Sequence, residues 1–220
     1  LTVAAGVLFG AWLGMPIAGV KDLTRLLVVG SFLRKDAPLL AQRVRQAAKK
    51  GLHVSAIGPN AEDWLIPVRH RALVAPSAMV VTMGQVVVAL AKEKGAEVSV
   101  ALLGKLPETV SDEALAIAES LASGRKVAVW LGSLAAQHER ASELQMLAQE
   151  IARLSGGGFG FIGEAANCGG GYLAGAVPGE GGLNAAAMIE QGRKAYVLMN
   201  LEPDLDVANP AATMAALDAA

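Results

Sequence analysis

Short apolar runs alternate with amphipathic stretches along most of the chain. Leu26-Leu27-Val28-Val29 is one continuous run, closed by Gly30-Ser31. Val127-Ala128-Val129-Trp130-Leu131 is a second, closed by Gly132-Ser133, and Ala195-Tyr196-Val197-Leu198-Met199 is a third, closed by Asn200. Runs that are apolar throughout, rather than at alternate positions, mark strands covered by helices on both faces. A helical pattern follows each run. Over residues 38–50 the apolar stripe is Leu40, Val44 and Ala47/Ala48, with Arg43, Arg45 and Lys49 off the stripe. Asp36 is the predicted N-cap of that helix, Pro38 occupies its first turn, and Gly51 is its predicted C′ residue. Over residues 135–154 the stripe is Leu144, Leu147/Ala148, Ile151 and Leu154. Asn209-Pro210 opens the third helix, with Asn as cap and Pro at the first helical position.

Further strands are predicted over residues 53–57, 97–103 and 159–162. Further helices are predicted over residues 77–94 and over 111–122, the latter capped by Ser111. Strands alternating with helices of ten or more residues indicate βαβ units. The expected fold is α/β, a parallel, Rossmann-like layered sheet with helices on both faces. At 220 residues the chain is one large domain or two lobes, expected at about 21–104 and 105–220. Residues 156–182 hold 12 of the 25 glycines. Phe159, Phe161, Ile162, Tyr172, Leu173 and Val177 are embedded among them, so this is a packed loop with close backbone approaches rather than a linker.

Composition narrows the function classes. Hydrophobic residues make up 53% and charged residues only 18%, against about 45–50% and about 25% in ordinary domains. The excess is small and aliphatic, which suits tight helix-on-sheet packing and burial of outer faces against other chains. A net charge of −1 gives no overall basic field for nucleic acid. The charge is unevenly placed, with a balance of +6 over residues 21–71 and −7 over 72–220. A solvated helix face explains this, and so does a basic face docking on an acidic partner. Cys168 is the single cysteine, so no disulfide framework, cysteine zinc site or iron–sulfur site can be built within the chain. Residues 1–20 carry no charge and are long enough to cross a membrane. Pro16 and Gly19 interrupt them, and no positive residue precedes them as in a signal peptide. No membrane span is expected.

Few residues suggest chemistry. His53, His70 and His138 have no partner at ligand spacing, and His53 reads as a core or edge residue of a strand. No metal site and no catalytic residue are expected. Cys168 has no basic neighbour in sequence to lower its pKa and reads as passive. Gly158-Phe159-Gly160-Phe161-Ile162-Gly163 fits G-x-G-x-x-G, but its residues read as a strand preceded by a helix, the wrong context for a dinucleotide turn. The strand-end turns are better placed. Gly30-Ser31, Gly132-Ser133 and Asn200 fall at the carboxyl edge of a parallel sheet, where α/β folds bind ligands and backbone N–H groups can hold a pyrophosphate. Turn chemistry alone also accounts for Ser31 and Ser133.

Four stretches together resemble one family. They are residues 12–17, residues 27–45, residues 164–178 (which include Ala165-Ala166-Asn167-Cys168) and residues 194–206. In this order they are similar to the large iron–sulfur subunit, the 75-kDa type, of bacterial respiratory complex I, NADH:quinone oxidoreductase. The resemblance implies a fragment of its molybdopterin-oxidoreductase-like domain, the fold shared with formate dehydrogenases and DMSO reductases. Catalytic relatives grip a guanine-dinucleotide pterin with strand-end Gly-Ser and Gly-Ala-Asn turns. By that resemblance Gly30, Ser31, Gly132, Ser133, Asn167 and Asn200 are candidates for a vestigial pocket. Ala165 stands where the family's turn has Gly. The complex I branch is expected to keep the fold without the pterin. Its iron–sulfur clusters are expected in an N-terminal part outside this sequence, so no cofactor is expected here. The implied role is a scaffold in a peripheral-arm subunit, partnered by other complex I subunits, cytoplasmic and peripheral to the inner face of the plasma membrane. The alternative is an active molybdopterin-dependent oxidoreductase fragment that retains its dinucleotide site.

Overall fold

The computed structural model describes residues 19–102, 104–163 and 168–220. They divide into two compact units, with the boundary between residues 169 and 170. The first unit is an α/β sandwich on a five-stranded, fully parallel sheet. Its strands are β1 (Arg25–Val29), β2 (His53–Gly58), β3 (Val68–Leu73), β4 (Val127–Leu131) and β5 (Gly158–Phe161), in the spatial order β3-β2-β1-β4-β5. The parallel α/β layering expected from the apolar runs is what forms.

Alternate residues of the central strands feed two cores. Leu27 and Val29 of β1, with Val129 and Leu131 of β4, face three helices: α3 (Met79–Lys94), α4 (Asp112–Ala122) and α6 (Ala141–Ser155). Leu26, Val28, Ala128 and Trp130 face the opposite way, onto α2 (Pro38–Ala48) and the segment carrying Trp64 and Ile66. Strands apolar on both faces are fully withdrawn from water, which is why the runs do not alternate. On the predicted α6 stripe, Leu144, Leu147, Ala148, Ile151 and Leu154 are all buried. Ser111 caps α4 by accepting from the Ala114 N–H at 3.2 Å.

Four expectations fail, each for a local reason. Of the strand expected over 97–103, residue 103 lies outside the described residues and 97–102 make no strand; a 3-10 turn runs from Val100 to Leu102. The Ser99 N–H donates to the Glu150 carboxylate at 2.7 Å, and the Glu97 carbonyl accepts from Arg153 at 2.7 Å, so side chains rather than a ladder satisfy this backbone. The helix predicted over 135–154 is broken into α5 (Ser133–Ala136) and α6. At the break, His138 accepts from the Arg140 N–H at 2.9 Å and lies 3.0 Å from the Pro76 carbonyl. Asp36 does not cap α2. It ends a four-residue helix, α1 (Leu33–Asp36), and Ala37 is the N-cap of α2. Finally, residues 195–200 form no strand. No strand exists among the described residues of their unit, so the apolar run has no ladder to join, and Val197 is left 94% exposed.

β3 goes beyond the sequence expectation. Its Arg69, His70 and Arg71 hide a strand signal, yet charge suits an edge strand because it discourages pairing with another chain. The boundary expected near residue 104 falls inside the first unit, since β4 and β5 share a sheet with β1–β3. The second unit holds α8 (Ala185–Gln191) and α9 (Pro210–Asp218), preceded at the division by α7 (Cys168–Leu173). Asn184 and the predicted cap Asn209 accept from the Ala187 and Ala212 N–H groups at 2.9 and 3.0 Å. No helix among the described residues is long and apolar enough to cross a membrane. The charge-free segment of residues 1–20 lies, up to residue 18, outside the described residues.

Candidate functional site

In the order β3-β2-β1-β4-β5 the chain reverses its direction of travel between β1 and β4. Parallel sheets bind ligands at such a reversal, beyond the carboxyl ends of the two strands. β1 and β4 pair in register from Arg25–Val127 to Val29–Leu131. Their continuations, Gly30-Ser31 and Gly132-Ser133, therefore lie side by side at the reversal. Four of the six candidate residues are brought together.

Close packing dictates glycine at both turns. Gly30 has φ +60°, and a Cβ there would come within 2.7 Å of the Ala135 nitrogen and 2.8 Å of the Met79 Cε. A Cβ on Gly132 would come within 2.5 Å of the Gly30 carbonyl and 2.7 Å of the Ser31 Cα, and would also meet the Ser31 Cβ. The turns press on each other, with no space between them for a ligand's backbone.

Their hydrogen-bonding groups are spent on one another. The Gly30 N–H donates to the Ile57 carbonyl at 2.9 Å, Gly132 N–H to Val29 at 2.8 Å, and Leu134 N–H to Gly30 at 3.1 Å. Three more donors converge on Asp36. Its Oδ2 accepts from the Ser31 hydroxyl at 2.9 Å, from the Phe32 N–H at 2.8 Å and from the Ser133 hydroxyl at 3.3 Å. A carboxylate of the chain thus takes the donors that a phosphate oxygen would need. The helices beginning here, α1 and α5, have four residues each, too short to present the aligned dipole that favours a pyrophosphate at a longer helix. With Asp36 in place, the two hydroxyls and the Phe32 N–H are not free for a phosphate oxygen. An anion arriving there would face the Asp36 carboxylate.

The other candidates lie apart from this arrangement. Asn167 is outside the described residues. Asn200 belongs to the second unit, where it has φ +57° in a turn. Cys168 begins α7. Gly158–Phe161 is β5 itself, so the G-x-G-x-x-G match falls on a strand rather than a phosphate turn. His53 opens β2 at the amino edge of the sheet, with its Nε2 3.3 Å from Arg69 Nη1. Burial, then the charges of Arg25 and Arg69, lower its pKa. Burial, then Arg69, lowers that of His70. Among the described residues, no three His, Cys, Asp or Glu side chains gather as a metal site would need.

Hollows among the described residues of the first unit include two of different kinds. A cavity of about 10 Å³ at the carboxyl end of β2 is walled in part by Ser31, Gly58, Asn60, Trp64 and Arg71. A wider cleft of about 580 Å³ lies among α3, α6, Leu102 and residues 104–107, lined mainly by apolar side chains. Its polar groups are Lys105 and the Arg140–Glu143 ion pair at 2.6 Å. Sequence reasoning misses the role of Asp36. Its place shortly before Pro38 reads as a helix cap, although an acid five positions beyond Ser31 in a strand-end turn is in reach of the hydroxyl it binds.

No curated protein matches the chain in a sequence search. The family model for molybdopterin oxidoreductase matches residues 2–220. That match takes in nearly every residue and agrees with the parallel α/β sheet. The chain belongs to the molybdopterin oxidoreductase family.

Proposed function

We propose that this chain is a scaffold segment of an oxidoreductase subunit with no active site of its own. The enzyme in question is the peripheral arm of NADH:quinone oxidoreductase, which carries electrons from NADH to quinone. Membership of an oxidoreductase family supplies the general reading. The resemblance of residues 12–17, 27–45, 164–178 and 194–206 to the large iron–sulfur subunit supplies the particular one. The observation that carries the scaffold role is the closure of the strand-end turns by Asp36. On this reading the chain holds no molybdenum or pterin, works beside the other complex I subunits, and lies at the inner face of the membrane.

The test has two arms on protein from its native host. Elemental analysis and mass spectrometry of heat-released small molecules should find neither molybdenum nor a pterin nucleotide. Stoichiometric molybdenum would overturn the scaffold role in favour of an active molybdopterin-dependent fragment. An affinity tag on the native chain should co-migrate with NADH:quinone oxidoreductase activity in native gels. Activity bands that lack the tag would overturn the assignment to that complex.

A further inference from the structure

The small cavity beyond β2 contains an unbalanced polar group. Trp64 lines it and is 5% exposed. Its Nε1–H is buried and has no acceptor among the described residues. A buried donor left without an acceptor keeps the full penalty of having lost its water. Its surroundings are firmly held. Arg71 lies over the indole, 5.2 Å from the ring centroid, and donates to the Asn60 carbonyl at 2.6 Å. Arg34 donates to the Asp63 carbonyl at 2.9 Å, and Lys35 pairs with Glu62 at 2.8 Å. Residues 60–63 are therefore fastened from both sides, and Trp64 cannot readily swing out to find water.

We propose that this cavity is a binding site for a single water molecule, which accepts the Trp64 indole proton. Size selects the ligand. A cavity of about 10 Å³ takes about one water. Chemistry agrees, because a buried water needs two to four polar partners. The walls offer the Ser31 hydroxyl, the Asn60 side chain and the Gly58–Asn60 backbone as well as the indole N–H. The shared chemistry is one acceptor oxygen, and its other source would be the oxygen of a small molecule held from the carboxyl edge. The water site does not rest on the scaffold reading above.

The test uses the full-length chain labelled with ¹⁵N at tryptophan. The Trp64 indole proton is assigned by loss of its peak in Trp64→Phe. If that variant does not fold, Trp12→Phe and Trp130→Phe assign the other two peaks and leave that of Trp64 by elimination. A rotating-frame Overhauser cross-peak between that proton and water, with the sign of a long-lived contact, is the expected result. A high-resolution crystal structure should show one isolated oxygen in the cavity. A dry cavity without the cross-peak would overturn the proposal. So would a small molecule released in stoichiometric amount whose oxygen fills the place.

Discussion

Glu150→Gln tests whether the segment that failed to become a strand is held by side-chain chemistry. Glu150 is only 4% exposed, in the last turn-and-a-half of α6. Its Oε1 accepts from the Ser99 N–H at 2.7 Å and from Arg153 Nη2 at 2.8 Å. Its Oε2 accepts from the Ser99 hydroxyl at 2.5 Å and from Arg153 Nε at 2.9 Å. Hydrogen bonds from Arg153 are the largest influence on its carboxyl, followed by burial, which opposes them, and then by the Ser99 donors. The net result holds the pKa down to about 2 from an ordinary 4.5. A carboxyl with a depressed folded pKa stabilises the protein above its unfolded value. That contribution fades as pH falls from about 4.5 to about 2. At about 1.4 kcal/mol per pH unit the ceiling is about 3 kcal/mol. The Arg153 side chain is 51% exposed, and solvent screening lowers the figure to about 2 kcal/mol. Glutamine keeps the shape but turns an NH₂ toward donors. Urea unfolding at pH 7, followed by fluorescence of the buried Trp64 and Trp130, should show the variant less stable by about 2 kcal/mol. The gap should shrink steadily below pH 4.5, where the native chain begins to lose the same interaction. Equal midpoints at pH 7, or a gap unchanged down to pH 2.5, would refute this account of the 97–102 segment.

Two further predictions concern the strand-end turns. Gly132→Ala puts a methyl group against the Gly30 carbonyl and the Ser31 Cα. It should cost about 2–3 kcal/mol, near the upper end for overpacking, read as a thermal midpoint lowered by roughly 5–10 °C. The parallel change Gly156→Ala meets no atom within 4 Å but has φ +64°, so it should cost only about 1 kcal/mol; equal losses would contradict the close approach of the two turns. Asp36→Ala removes one acceptor from three donors at the surface. It should cost about 1 kcal/mol and leave a set of donors able to bind an anion. Millimolar inorganic pyrophosphate should then raise the thermal midpoint of the variant and leave the native chain unmoved, as measured by differential scanning fluorimetry. A native chain stabilised by pyrophosphate would count against the closed turn.

What could be read from the sequence follows how locally each feature is determined. β1 and β4 are legible because burial on both faces demands an apolar residue at nearly every position. Caps at Ser111 and Asn209 are legible because the acceptor and its N–H lie three residues apart. β3 was hidden because an edge strand tolerates Arg69, His70 and Arg71. Residues 97–103 and 195–200 have the same local β signal as the true strands. They differ in what surrounds them: the first finds Glu150 and Arg153, the second finds no strand in its own unit. The candidate site divides in the same way. The adjacency of Gly30-Ser31 and Gly132-Ser133 follows from two strand ends in a parallel sheet. The role of Asp36 depends on α1 ending there, which propensity does not foretell.

The strand order and the use made of it are separate matters. Any sheet ordered β3-β2-β1-β4-β5 must place the turns after β1 and β4 together, whether or not a ligand ever arrives. What decides between a cradle and a closed seam is which groups consume the donors exposed there. In this chain two backbone N–H groups reach across to the β1 turn, and one carboxylate gathers two hydroxyls and an amide. The same contacts join Ser31 to Ser133 through Asp36, so closing the crevice also fastens the two halves of the sheet at their point of divergence. At this point the sheet is held by the chain's own hydrogen bonds. On that view the glycines at 30 and 132 are kept by contact between the turns, and their presence alone says nothing about a nucleotide.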